Sequence, residues 1–216
     1  MPADQHAPKL RAIDAPATDT ATAAESDRVT NAALAIAGVG LFTFLTYLGA
    51  QVAIPTPPYG IPQTLQTLAV VLAALGLGAK LGMASMLLYA IIGAAGGKVF
   101  ADHSGGLAIL LGQTGGYIVG FIACQPVIHA LVRRRDGTVR SMWWIAGAVI
   151  AGHVVIFAIG VPWLYIVRGF DPATTITWSK ALYYGMVVYL PNMVLKSAIA
   201  AIIGRWAAPF ASSRGW

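Results

Sequence analysis

Lys196 is the residue whose type and position most demand a chemical role: it stands in a mostly apolar run, Pro191–Ala208. An ammonium among hydrocarbon costs several kcal/mol unless it is paired or solvated. The nearest acid in the sequence is Asp171, across a loop. A cation without an acid in its own helix suits an anionic ligand. Alternatively it snorkels to an interface, since Lys196 lies only about 8 Å into a helix that starts at Pro191. The second feature is Gly112-Gln-Thr-Gly-Gly-Tyr117, inside an apolar run expected to be helical. Adjacent glycines there cost about 1 kcal/mol each relative to alanine. They are explained by close approach to the backbone, either by a ligand, with the Thr114 and Tyr117 hydroxyls beside it, or by a neighbouring helix.

Other chemistry is missing from the sequence. Gly93-Ala-Ala-Gly-Gly-Lys98-Val99 superficially suggests a phosphate loop, but Ile92 stands where the first glycine belongs and Val99 where Ser or Thr belongs. The chain is therefore expected to have no nucleotide site of its own. His6, His103, His129 and His153 fall in separate segments without metal-ligand spacing, and Cys124 is alone. Neither Gly-x-Ser-x-Gly nor His-Glu-x-x-His occurs. The expectation is a protein that is not an enzyme and carries no cofactor.

The elements that must position these residues are membrane helices. Of 216 residues 57% are hydrophobic and 10% charged, against about 25% charged in a soluble domain. Residues 1–29 hold five of the eight acids and read as a disordered tail without large apolar side chains; 30–210 read as a membrane domain. A span needs about 20 apolar residues. Asn31–Ile54, Leu65–Ala79, Leu81–Gly97, Leu107–Val132, Met142–Val167 and a last region from Pro191 qualify, the two middle ones as short spans around a tight turn at Gly78–Gly82. Trp178–Tyr189 is either part of a kinked last span or a surface helix; proline at a first helical position favours the surface helix.

Six spans put the tail, Lys80, Arg133, Arg134, Arg135, Arg140, Arg205 and Arg214 on one side. The positive-inside rule makes that side cytoplasmic, with both termini inside. It also accounts for the net charge of +6 without nucleic acid. The opposite gaps, Pro55–Gln66, Gly96–Gly106 and Arg168–Pro191, are longer and rich in Gly, Pro and aromatics. Such irregular segments either are ordinary exposed loops or close an outward-facing ligand pocket. Small residues on the first span, Ala33 and Ala37 among them, suit either internal packing or docking of another membrane subunit.

Four blocks resemble the BioY family: Pro62-Gln-Thr-Leu-Gln-Thr67, Leu88–Phe100, Gly105–Tyr117 with its Gly-Gly-Leu and Thr-Gly-Gly-Tyr, and Leu190-Pro-Asn-Met-Val-Leu-Lys196. The family comprises biotin-binding S components of energy-coupling-factor transporters. The resemblance spans most of residues 32–208 and implies six spans in a bacterial inner membrane. It also implies a ligand site involving Gln66, Phe100, Thr114, Gly116, Tyr117, Asn192, Met193 and Lys196. The implied ligand is biotin or a similar small anionic vitamin. The implied partners are a transmembrane coupling subunit, met by Ala33 and Ala37, and two ATPase subunits. Another anionic metabolite, or an assembly role without transport, are the other readings. Three departures stand out. Gln113 replaces a usual proline, and Gly96-Gly97-Lys98 replaces Gly-Leu-Pro. Met193 replaces the aspartate of Pro-Gly-Asp-x-x-Lys, so a ureido ring that donates two N–H groups meets only a weak acceptor there.

Overall fold

The computed structural model describes residues 17–56, 61–170 and 172–213. Its helices are α1 (Ala17–Gln51), α2 (Gln66–Ala94), α3 (Leu107–Leu110), α4 (Gly115–Val132), α5 (Met142–Gly169), α6 (Trp178–Gly185) and α7 (Leu190–Ser213). A two-residue antiparallel ribbon, β1 (Ala53–Ile54) with β2 (Gln63–Thr64), joins α1 to α2. Among the described residues, five stretches are long and apolar enough to cross a bilayer: Glu25–Gln51, Gln66–Ala94, Gly115–Val132, Met142–Gly169 and Trp178–Pro209.

The chain divides into two units, Met1–Leu34 and Ala35–Trp216. In the first, the described residues are helical, and 25–33 are exposed. The helix thus begins at Ala17, well before the Asn31 start read from hydropathy. Alanines at 17, 21, 23 and 24 are strong helix formers. Residues 1–16 of the expected tail lie outside the described residues, as does Arg214.

In the second unit α4 packs most extensively on α5, and α2 on α4 and α7. Glycines permit this. A side chain at Gly120 would strike the backbone of Ile156, one at Gly152 the side chain of Ile128, and one at Gly160 the ring of Tyr117. Without a strong hydrophobic drive between helices in lipid, close backbone approach of this kind holds them together. Outward positions stay apolar: Val154 and Ile166 on α5 and Leu195 and Ile202 on α7 are each more than half exposed, as suits contact with lipid.

α2 is not a straight rod. Gly78 has φ 75° and ψ −171°, a conformation essentially confined to glycine. Gln66 and Tyr89, 23 residues apart, are hydrogen-bonded at 2.7 Å; a straight helix would separate them by roughly 34 Å. The chain therefore reverses at Gly78, where the sequence predicts a turn. Two other expectations change. The run Leu107–Val132 is broken: α3 ends at Leu110, and 112–114 form a turn before α4. Gly115 presses against the Leu110 carbonyl, where a Cβ has no room, so the glycines serve a chain crossing rather than a helix interior. Trp178–Tyr189 forms α6 and a 3-10 turn, separate from α7.

Candidate functional site

One end of the second unit encloses a cavity of about 550 Å³. Its walls come from the start of α2, the Phe100–Ser104 loop, the α3–α4 turn, the middle and end of α5, and the start of α7. Each wall is tied to another by hydrogen bonds across long sequence separations.

The start of α2 is fixed first. Thr64 Oγ1 donates to Gln66 Oε1 at 2.9 Å, Gln66 Nε2 donates to the Tyr89 hydroxyl, and that hydroxyl donates to the Val99 carbonyl at 3.0 Å. Gln51 Nε2 donates to the Phe100 carbonyl at 3.2 Å. The Phe100 ring is buried, edge-on to Tyr89, and seated over Gly93, where any side chain would collide with it. The loop then folds back, Phe100 pairing with Ser104 around Asp102 and His103, both at positive φ.

The second wall is the family-like glycine turn. Trp163 Nε1 donates to the Gly112 carbonyl at 2.9 Å. Tyr117 donates to the Gly185 carbonyl at 2.9 Å, which holds α6 against α4. Gln113, the substitute for proline, accepts from Arg168 Nη2 at 2.8 Å. Arg168 is 8% exposed and also donates to the Thr174 carbonyl.

The third wall is α7. Lys196 Nζ donates to the Thr64 carbonyl and, at 3.1 Å, to Thr67 Oγ1. The ammonium is 6% exposed as a residue; it is held inside the protein and does not snorkel. Two of its three donors have these acceptors. Asn192 Nδ2 donates to Gln63 Oε1 at 3.3 Å, and the Tyr189 hydroxyl donates to the Ile61 carbonyl at 2.6 Å.

Of the eight residues expected at a ligand site, Gln66, Phe100, Thr114, Tyr117, Asn192, Met193 and Lys196 line the cavity. Gly116 does not. It faces Trp163, whose side chain occupies the space a Cβ would take, so its role is to let α4 and α5 close. Residues not expected at the ligand site also line the cavity: Asp102, Thr67, His153, Phe157 and Arg168. In the sequence Arg168 marks the end of a span, and His153 is one of four histidines without metal-ligand spacing. Only the folding of α5 against α4 and α7 brings them to the cavity. Ala33 and Ala37 are exposed.

The family model described as the BioY family matches residues 20–212. This chain belongs to the BioY family. A Pyrococcus horikoshii relative named "Probable biotin transporter BioY" is 39% identical over 165 residues, covering 76% of this chain and 90% of the relative. A Thermotoga maritima relative named "Biotin transporter BioY" is 36% identical over 164 residues, covering 76% and 89%. The fold also matches a crystal structure of the S-component for biotin from an ECF-type ABC transporter. There the TM-score is 0.71 at 21% identity, with 83% of this chain and 91% of that chain covered. BioY membership and the apolar helices make this a multi-pass membrane protein of a transport family, not an enzyme.

Proposed function

We propose that this chain is the biotin-binding S component of an energy-coupling-factor transporter, capturing the vitamin from outside a bacterial cell membrane. The observation that carries the reading is the buried Lys196, tied to Thr64 and Thr67 on the wall of a cavity of about 550 Å³. That volume lies within the range of small-molecule sites, roughly 300–1,000 Å³. A buried ammonium suits a ligand with a carboxylate or a polarised carbonyl. Relatives 39% and 36% identical to this chain are named biotin transporters.

The membrane domain, 30–210, crosses six times, counting α2 as two short spans on either side of Gly78. The reversal at Gly78 supports that count. Lys80 follows the Gly78 reversal, Arg133, Arg134, Arg135 and Arg140 lie between α4 and α5, and neither these nor Arg205 line the cavity, which supports cytoplasmic termini and an outward-facing pocket. The chain has no phosphate loop, so energy comes from two ATPase subunits through a transmembrane coupling subunit. The exposed Ala33 and Ala37 are its proposed contact.

Titrating the purified protein in detergent with biotin tests the reading. Binding tighter than micromolar is expected, and Lys196→Ala weakens it at least tenfold. Absence of micromolar biotin binding, together with binding of another anionic vitamin from a panel, moves the assignment to that ligand. Replacing Ala33 or Ala37 with a large residue should abolish co-purification with the coupling subunit; normal co-purification removes that face from the interface.

A further inference from the structure

Gln113 lines the cavity from the turn between α3 and α4 and is half-buried. The oxygen and nitrogen of its side-chain amide are told apart by their partners. The partner here is Arg168 Nη2, 2.8 Å away. A guanidinium can only donate, so Oε1 faces Arg168 and the NH2 group, Nε2, is turned away from it. Nε2 has no hydrogen-bond partner among the described residues, and it is not one of the unpaired side-chain atoms that are buried. The same holds for the hydroxyl of Thr114, the next lining residue. Both groups are therefore open to a molecule in the cavity.

The other polar side chains on the walls divide differently. The Gln66 amide and the Tyr89, Tyr117 and Ser104 hydroxyls donate within the protein. The accessible acceptors lie on other walls. Gln63 Nε2 donates to the Val188 carbonyl and Asn192 Nδ2 to Gln63 Oε1. A backbone carbonyl can only accept, so this relay leaves Asn192 Oδ1 as a spare acceptor on α7, one turn before Lys196. Asp102, on the Phe100–Ser104 loop, is exposed and also accepts only; it would repel a carboxylate. The α7 wall thus sets an acceptor beside a cation, which suits a group with both N–H and C=O, such as a ureido ring. The 112–114 turn sets an amide NH2 beside a hydroxyl, backed by a guanidinium, which suits a group that only accepts. A carboxylate is such a group, and its charge strengthens the bonds it takes.

We propose that Gln113 Nε2 and Thr114 Oγ1 donate to the carboxylate of the ligand, while its ureido ring lies toward α7. The two residues then select for a free carboxylate and fix which way round biotin sits. Proline, the usual residue of the resembling block at 113, has no side-chain donor to offer. The proposal rests on the biotin reading above.

Calorimetric titration of the full chain in detergent with biotin and with its primary amide tests it. Wild type should bind biotin about tenfold or more tighter than the amide. Gln113→Glu keeps an oxygen for Arg168 and puts a second oxygen in place of the NH2. Biotin affinity should fall about tenfold or more in this variant, while the amide, which can donate to the new carboxylate, should bind at least as well as to wild type. Lys196→Ala should weaken both ligands by a similar factor. Equal binding of the two ligands by wild type overturns the proposal, as does unchanged biotin affinity in Gln113→Glu. An equal loss of both ligands in Gln113→Glu also overturns it, since it marks a structural effect. A Lys196→Ala loss confined to biotin puts the carboxylate on α7 and overturns it as well. If Gln113→Glu does not fold, Thr114→Val takes its place: a loss for biotin alone is expected, and an equal loss or none overturns the proposal. Wild type that binds neither ligand overturns the functional reading and this inference together. Biotin binding without preference for the free carboxylate overturns this inference alone.

Discussion

The two ends of α4 are closed in opposite ways. At its C-terminal end the turn to α5 satisfies itself from within a few residues. Arg134 N donates to the Thr138 carbonyl at 2.9 Å, Gly137 N to the Arg134 carbonyl at 3.0 Å, and Arg140 N to the Val132 carbonyl at 2.9 Å. Arg133 pairs with Val139, and Gly137 takes the positive φ of 81° that the turn requires. At the N-terminal end the bonds join distant segments: Gln51 to Phe100, Tyr189 to Ile61, Asn192 to Gln63 and Lys196 to Thr67, 49 to 129 residues apart. A locally closed turn forms whatever the rest of the bundle does. A wall built from distant partners exists only when all of them are in place, so substitutions there affect folding and ligand affinity together. Opening and closing motions in proteins are drawn from such weakly self-supporting regions.

The largest expected break in this contrast is Gly115→Val. The Leu110 carbonyl fills the space of the added Cβ, and a backbone atom yields less than a side chain. The cost should exceed the roughly 1–3 kcal/mol typical of overpacked side chains. Thermal unfolding in detergent should show a large loss of stability, with biotin binding lost at the same time. A variant that melts like wild type removes the α3–α4 crossing from the folding of the cavity.

Gly78→Ala sharpens the contrast from the other end. The backbone at Gly78 is one that alanine adopts only with strain of about 1–3 kcal/mol. The thermal midpoint should fall, while the biotin affinity of the folded fraction stays within twofold, because the cavity lies at the far ends of both arms of α2. An affinity loss as large as that of a cavity substitution shows that the two ends are coupled through α2.

The local end is also the part most legible in the sequence. Glycine at 78 and the basic cluster at 133–140 each mark a boundary through backbone geometry or charge, and the chain turns at or beside each of them. Lys196 could be singled out because a charge in an apolar run is conspicuous anywhere. The break at 112–114 was not legible, because an apolar run with glycines reads the same whether it continues as helix or folds back on itself. His153 was hidden for a different reason. A single histidine among apolar residues becomes a cavity residue only through the packing of α5 on α7, and no spacing within α5 records that.

The smallest expected effect belongs to Asp136, at the tip of the self-contained turn. Its Oδ1 accepts from the Thr138 backbone N–H at 2.9 Å and from the Thr138 hydroxyl at 2.7 Å. These two bonds hold its carboxyl below the usual carboxylate range, the hydroxyl first, and Arg134 adds to the effect. A lowered folded-state pKa means that the stabilisation is present above the unfolded value of about 3.9. It is lost as pH falls through the lower folded value. Because the group is fully exposed, solvent screens the interaction and the contribution is slight. Asp136→Ala should therefore lower the thermal midpoint only marginally at neutral pH, and the difference from wild type should vanish in acid. Biotin affinity should be unchanged at every pH. A clear change in affinity would mean that even the locally closed turn communicates with the cavity, and the independence of the two ends would have to be given up.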